Sequence, residues 1–390
     1  MSHEILSIVN SPQLPSPCFV LDEGLLARNL QILAKVQAAS GGNIILALKG
    51  FAMWSTFPQV ATILKGTTAS SLNEAKLGLE EFGGEVHSYF VAYRPEEIEF
   101  LRSRCHHISL NSLSQWQQFK SAASQPDTTA SFGLRINPGY SEVDTEIYNP
   151  CRQGTRFGIS PQDLEAADKD GFLAGIEGLH FHTMCEQNAD TLERTLEHVE
   201  AKFGKFLHRM KWLNCGGGHH ITREDYDTEL LIKLIIRLRK TYNIEVYLEP
   251  GEAVALNTGY LVSSVIDRFN SDGHELAILD VSAAAHMPDV LEMPYRPEIL
   301  GGGEPDEKAH NITLGGTTCL AGDIIGDWSF DQELKLGDRL VFTDMAHYSM
   351  VKTNHFNGVD HPAIARFNPE SREIIVGKRF GYEDYRNRLS

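Results

Sequence analysis

The stretch NIILALKGFAMW, residues 43–54, sets an apolar run from Ile44 to Leu48 directly before Lys49. A run that short and that apolar reads as a buried strand. The ammonium at its end is either a surface group just past the strand or an amine kept for chemistry. The rest of the chain decides between the two. Seven further runs have the same character: GTTAS (66–70), VHSYFV (86–91), HISL (107–110), FGLRIN (132–137), IEGLHFHT (176–183), KWLNC (211–215) and IEVYLEP (244–250).

Helix signals precede and separate these runs. DEGLLARNLQILAKVQ carries Leu26, Leu30 and Leu33 on one face behind a capping Asp22. SLNE (Ser71 to Glu74) and SLSQ (Ser112 to Gln115) have the spacing of capping boxes. SPQD places Ser160 at an N-cap and Pro161 at the first helical position, where a missing N–H is harmless. DYDTELLIKLIIRLRKTYN carries a strong apolar stripe before the last run. Eight strand–helix units within about 220 residues predict a (β/α)8 barrel. An open doubly wound sheet fits less well, because no G-x-G-x-x-G follows the first run.

Beyond residue 255 the pattern changes to β-rich pieces: GYLVSSVIDRF, ELAILDVS, NITLGGTTCL, DRLVFTD, AIARF and REIIVG. The expected organisation is α/β: a barrel over 22–255 and a β-rich domain over 256–390. Residues 1–21, with the early strand PCFVLDE, are expected to join the second domain.

A formal net charge of −17 argues against a nucleic-acid surface and suits a cationic ligand. Six cysteines are scattered without a C-x-x-C, which reads as reduced thiols of a cytoplasmic protein. The N-terminus lacks a basic stretch followed by an apolar core, so no signal peptide is expected. No apolar run reaches the ~18 residues that span a bilayer.

Barrels do chemistry at the C-terminal ends of their strands. There the sequence places Lys49, then His180 and His182 in HFHTMCE. Gly216, Gly217 and Gly218 follow in NCGGGHH, with Glu249 and Glu252 in LEPGEA. A lysine amine condenses with an aldehyde, and a glycine-rich loop leaves backbone N–H groups open to a phosphate. A carboxylate pairs with a pyridinium N–H, and an imidazole can lie on the ring face. Together these four features describe a site for pyridoxal 5′-phosphate. The alternative is a metal centre built on the His-x-His pair. It needs further ligands, and His219 and His220, adjacent beyond the glycine loop, converge poorly; no metal is expected.

Two features of the β-rich domain can complete the site. GGTTCLAGDII sets Cys319 and Asp323 on a Gly-bounded loop. A thiol with a pKa near ~8.5 is protonated at neutral pH and can deliver a proton to a carbanion. DMAHYSMVKTNHFNG sets Tyr348 among small and polar residues, where its hydroxyl can reach a phosphate or simply pack in a core.

From PCFVLDE to HYSMVKTNHFNG the chain resembles the fold type III, alanine racemase-like pyridoxal-phosphate decarboxylases. LALKG resembles the family's cofactor-lysine strand, GLHFHT its ring-stacking histidine and NCGGGHH its phosphate loop. LEPGEAV resembles the stretch of the pyridine-nitrogen glutamate, TTCLAGD the catalytic cysteine loop and DMAHY the phosphate tyrosine. The resemblance implies Lys49 as the covalent anchor, His182 as the stacking residue and Glu249 as the pyridinium partner. It implies Cys319 as proton donor, in a homodimer whose Cys319 reaches the partner subunit's cofactor.

Two departures narrow the substrate. Relatives usually carry Arg after Glu-Pro-Gly, where this chain has Glu252, and an acid directly after the cysteine, where it has Leu320 with Asp323 further on. Exchanging an anion clamp for a carboxylate favours a polyamine-like substrate over one with a distal carboxylate. LEPGEAVA, NCGGGHHIT, TTCLAGDIIGDW and HYSMVKT resemble the carboxynorspermidine/carboxyspermidine decarboxylase branch. That implies Glu252, Asp289 and Asp323 as substrate contacts. A diaminopimelate- or ornithine-type decarboxylase, a racemase of the same fold and a non-enzymatic regulator are the competing readings.

Overall fold

The computed structural model describes residues 4–169 and 171–390, which divide into two compact units. One is Asn29–Val254. The other joins the chain up to Arg28 with Ala255–Ser390.

The first strand, β1 (Cys18–Asp22), belongs to the second unit. The next eight are β2 (Asn43–Ala47), β3 (Gly66–Ala69), β4 (Glu85–Tyr89), β5 (His107–Leu110), β6 (Ser131–Arg135), β7 (Ile176–His180), β8 (Trp212–Asn214) and β9 (Glu245–Leu248). They form a closed parallel barrel, sealed where Asn43 and Ile44 of β2 meet Tyr247 and Leu248 of β9. Each of the eight expected runs supplies one barrel strand.

The helix signals act as the sequence suggests, with one shift. Asp22 Oδ1 accepts the N–H groups of Gly24 and Leu25 at the start of the helix Glu23–Ser40. Ser71, Ser112 and Ser160 each accept the N–H three residues on. In the first two, the reciprocal bond lands one residue early. Glu74 takes the N–H of Ser70 and Gln115 that of Asn111.

Side chains fill the barrel, and the largest dictates its neighbours. Trp212 of β8 stacks on His107 at 4.2 Å between ring centres, and His107 in turn packs edge-on against Tyr247. The indole occupies space that side chains on β6 and β7 would need. A Cβ at Gly133 or Gly178 would overlap its ring, so glycine is required at both positions. Trp212 Nε1 donates to Ser131 Oγ at 2.8 Å, so its one polar atom is satisfied.

The second unit is a mixed sheet ordered β13-β12-β11-β10-β1-β15-β16, with β14 also on β10. Its further strands are β10 (Gly259–Ser271), β11 (His274–Leu279), β12 (His310–Gly315), β13 (Ile324–Phe330), β14 (Arg339–Thr343), β15 (Ala363–Asn368) and β16 (Glu373–Lys378). β1 pairs antiparallel with β10 and parallel with β15, so PCFVLDE does enter this sheet. Alternation puts Phe19 and Leu261 in one apolar cluster and Cys18, Val20, Tyr260 and Val262 in another. Both faces of the central strands are therefore covered. β13 was not expected from the sequence, because Gly326-Asp327 interrupts its apolar run; Trp328 nonetheless anchors the larger cluster. No described helix is long and apolar enough to cross a membrane.

Candidate active site

Lys49 follows β2 in a turn closed by Gly50 N–H on the Ala47 carbonyl. Its side chain is exposed, among enough protein atoms for their presence to act on its charge. Burial, then the positive charge of Arg135, push its pKa below the usual lysine range, against the pull of Glu249. The amine is therefore shifted toward its neutral, nucleophilic form. The turn is splined to the end of β9. Ala47 N–H donates to Pro250 O, and a Cβ at Gly50 would touch the backbone of Gly251 and Glu252.

Glu249 is the buried carboxylate of the rim, its side chain 11% exposed. Asn214 Nδ2 donates to its Oε1 at 2.6 Å, and His180 Nε2 lies 3.5 Å from its Oε2. Burial favours the protonated acid, but His180, Asn214 and Thr68 together outweigh it and hold the carboxyl well below the usual range. Burial also drives His180 toward its neutral form in spite of Glu249, and neither ring nitrogen makes a hydrogen bond. The site thus holds an ionised carboxylate, hydrogen-bonded by the Asn214 amide and with the His180 ring beside it. Such a group favours a cation, or a ring N–H⁺.

The three glycines are needed for shape. Gly216 and Gly218 have φ of +70° and +84°, and a Cβ on any of the three would run into backbone carbonyls. Two of their N–H groups are already engaged: Gly216 donates to Asn214 Oδ1 at 2.8 Å and Gly217 to His182 Nδ1 at 3.0 Å. Among the described residues, the N–H groups of Gly218 and His219 have no protein acceptor. The loop therefore serves first to orient Asn214 and His182, and the donors open to an anion lie at its far end. Burial, then Lys49 and Arg135, hold His182 well below the ordinary histidine pKa. It is a neutral ring with Nδ1 accepting and the proton on Nε2. His180 and His182 turn to different neighbours, as do His219, toward the Cys215 carbonyl, and His220, toward Glu252.

Arg135 and Asn214 went unassigned in the sequence. Arg135 ends β6, is 4% exposed, donates to the His182 carbonyl and lies over the Tyr89 ring at 4.5 Å. Tyr89 meets His180 edge-on at 5.2 Å. A buried arginine inside a strand-end FGLRIN is a signal in itself, since a charge is rarely buried unless it has a task.

The second unit holds the remaining candidates. Cys319 is exposed, on a loop whose shape depends on Asp323. That carboxylate is 4% exposed and accepts from Thr318 N, Thr318 Oγ1 and Ala284 N at 3.1, 2.6 and 3.2 Å. With its oxygens so engaged, Asp323 anchors the loop, and we do not retain it as a substrate contact. Asn357 Oδ1 fixes the loop from outside by accepting Cys319 N–H at 2.7 Å. Asp289 is paired with Lys352 at 2.5 Å, and Glu292 shares that lysine at 2.6 Å. Tyr348 is half-buried at the start of the short helix Tyr348–Val351.

Comparison with known proteins gives this arrangement a family. Residues 18–346 match the pyridoxal-dependent decarboxylase family in its C-terminal sheet domain description. The chain is 46% identical to a carboxyaminopropylagmatine decarboxylase of Synechocystis sp., with the whole of both chains covered. It is 42% identical to a carboxynorspermidine/carboxyspermidine decarboxylase of Campylobacter jejuni, over 96% of this chain and 98% of that one. The crystal structure of the C. jejuni carboxynorspermidine decarboxylase complexed with norspermidine superposes with a TM-score of 0.87 at 41% identity, covering 96% of this chain and 100% of that one. The chain is a decarboxylase and belongs to the pyridoxal-dependent decarboxylase family, beside the carboxynorspermidine/carboxyspermidine decarboxylases.

Proposed function

We propose that the chain removes CO2 from carboxynorspermidine and carboxyspermidine, using pyridoxal 5′-phosphate, to give norspermidine and spermidine. One observation carries the cofactor assignment: a lysine pushed toward neutrality shares a rim with a carboxylate held ionised beside Asn214 and His180. Pyridoxal phosphate supplies an aldehyde for amines and a ring that takes up the electron pair left when CO2 departs. Lys49 would hold the aldehyde carbon, Glu249 would accept the ring N–H and His182 would face the ring. The far end of the glycine loop, at Gly218, and the Tyr348 hydroxyl would be the groups for the phosphate. Arg135 keeps the Lys49 amine available. Cys319 Sγ delivers a proton to the substrate carbon that has lost CO2. The exposure of Cys319 and its neighbour Leu320 supports a homodimer in which the thiol serves the partner subunit's site.

The carboxynorspermidine/carboxyspermidine relatives and Glu252, whose backbone abuts the Lys49 turn, favour a substrate rich in amines. A second reading follows from the 46% identity to the carboxyaminopropylagmatine decarboxylase: a substrate ending in a guanidinium. The test is CO2 release from the three carboxylated substrates side by side. Preference for carboxynorspermidine or carboxyspermidine supports the first reading. Preference for carboxyaminopropylagmatine replaces it, and a colourless protein that takes up no pyridoxal phosphate rejects both.

A further inference from the structure

Three loops on one rim of the barrel bring together residues that the cofactor assignment leaves unused. Glu186 follows β7, His220 follows β8 and Glu252 follows β9. One ligand atom from each lies within 4.8 Å of the others. Two carboxylates alone would make only an acidic cluster. The third member adds something else. His220 is 6% exposed, neither ring nitrogen makes a hydrogen bond, and Nε2 is aimed at Glu252 Oε2 from 3.3 Å. An imidazole this deep, with Nδ1 unsatisfied and only the 3.3 Å ion-pair contact at Nε2, is costly unless a ligand completes its surroundings.

Glu186 is also held in an uncommon backbone state. Its φ is +55°, the left-handed region that non-glycine residues seldom adopt. Arg223 grips its carbonyl at 3.1 Å, and the next N–H, of Gln187, is tied to the Gly218 carbonyl at 3.0 Å. The glycine loop therefore fixes the direction of Glu186. Glu252 ties the cluster to the reactive lysine: a Cβ at Gly50, the residue after Lys49, would lie 3.1 Å from the Glu252 backbone nitrogen.

We propose that Glu186 joins Glu252, beside His220, in binding a protonated amine of the substrate distal to the carbon that loses CO2. An ammonium offers three donors, and this cluster presents two carboxylates and a ring nitrogen. The proposal rests on the decarboxylase reading above and names a residue that the sequence did not single out.

The experiment compares wild type with Glu186→Gln and Glu186→Gly, all as holoenzyme. The glycine variant removes the carboxylate while easing the left-handed backbone, so it separates lost charge from lost folding. Steady-state kinetics with carboxynorspermidine should show the loss in KM rather than kcat, by about ten- to a hundredfold, as for one charged hydrogen bond. Calorimetry with norspermidine should show the same factor, and with 1,3-diaminopropane, which lacks the far nitrogen, much less. Wild-type KM and norspermidine affinity in both variants would overturn the assignment while leaving decarboxylation intact. So would tight binding of Mn²⁺ or Zn²⁺ at the cluster, removed by Glu186→Gln, with turnover lost on chelation. If wild type releases no CO2 from any carboxylated polyamine, the decarboxylase substrate reading fails. The norspermidine calorimetry then still reads the subsite: retained binding that Glu186→Gln weakens supports it, and no binding overturns it.

Discussion

Asn214 donates its side-chain amide to Glu249 across 2.6 Å, while its carbonyl oxygen takes the N–H of Gly216 at 2.8 Å. One residue at the end of β8 thus joins the buried carboxylate to the glycine loop. Gly217 extends the link to His182. The groups assigned to the ring nitrogen, the ring face and the phosphate are parts of one hydrogen-bonded unit.

Replacing Asn214 by Asp keeps the shape, removes the donor and sets a second negative charge beside Glu249. Like charges raise a carboxyl pKa, so Glu249 should protonate more readily and hold a ring N–H less well. We expect pyridoxal phosphate affinity to fall by about ten- to a hundredfold, the scale of one charged hydrogen bond. Absorbance titration of the apoenzyme measures it. The loss should be non-additive with Glu249→Gln, because the two residues share one interaction.

Arg135 and Lys49 give the pH prediction. The amine reacts only when neutral, and the positive charge of Arg135 lowers the Lys49 pKa. Removing that charge with Arg135→Gln should raise the Lys49 pKa, so the neutral fraction at a given pH falls. The rate at which apoenzyme acquires the yellow, borohydride-sensitive band should then show its pH midpoint moved upward. Lys49→Ala should acquire no such band. An unmoved midpoint in folded Arg135→Gln would assign the depressed lysine to burial alone.

Packing at the other end of the site's supports is equally specific. Gly178→Ala on β7 would drive a methyl group into the Trp212 indole. Overpacking of this kind costs about 1–3 kcal/mol, read as a lower urea midpoint with unchanged slope. Trp212→Phe, which vacates the contact, should be destabilising alone yet partly relieve Gly178→Ala. If Gly178→Ala proves as stable as wild type, the barrel must repack around Trp212.

The barrel was legible because each strand run is short, apolar and bounded by a helix cap or a turn, and because its active rim follows from strand direction. Lys49, His182 and Glu249 could be named since each is the odd polar group at a strand end. Arg135 could not, because FGLRIN looks like a strand with a charge at its edge; only folding shows that the charge is buried over Tyr89. Asp323 shows the opposite case. An acid on a Gly-bounded loop reads as available, whereas three donors from Thr318 and Ala284 converge on it. Glu186 gave no periodic signal at all, since a left-handed residue in a loop has no pattern to break.

Cys319 and Lys49 belong to different compact units, and the thiol is exposed. If each site takes its lysine from one subunit and its cysteine from the other, a Lys49→Ala homodimer and a Cys319→Ala homodimer are both defective. Dissociating and mixing them in equal amounts should leave half the dimers mixed. One site of each mixed dimer carries both mutations and the other carries neither, so about a quarter of wild-type activity returns in a two-fold symmetric dimer. A site built within one chain predicts no recovery, because every site then lacks one of the two groups. Different affinity tags on the two variants, with mixed dimers retained on both resins in turn, verify that subunits exchanged. With exchange established, absence of recovered CO2 release would exclude the shared site, and recovery near a quarter would assign Cys319 to the partner subunit's cofactor.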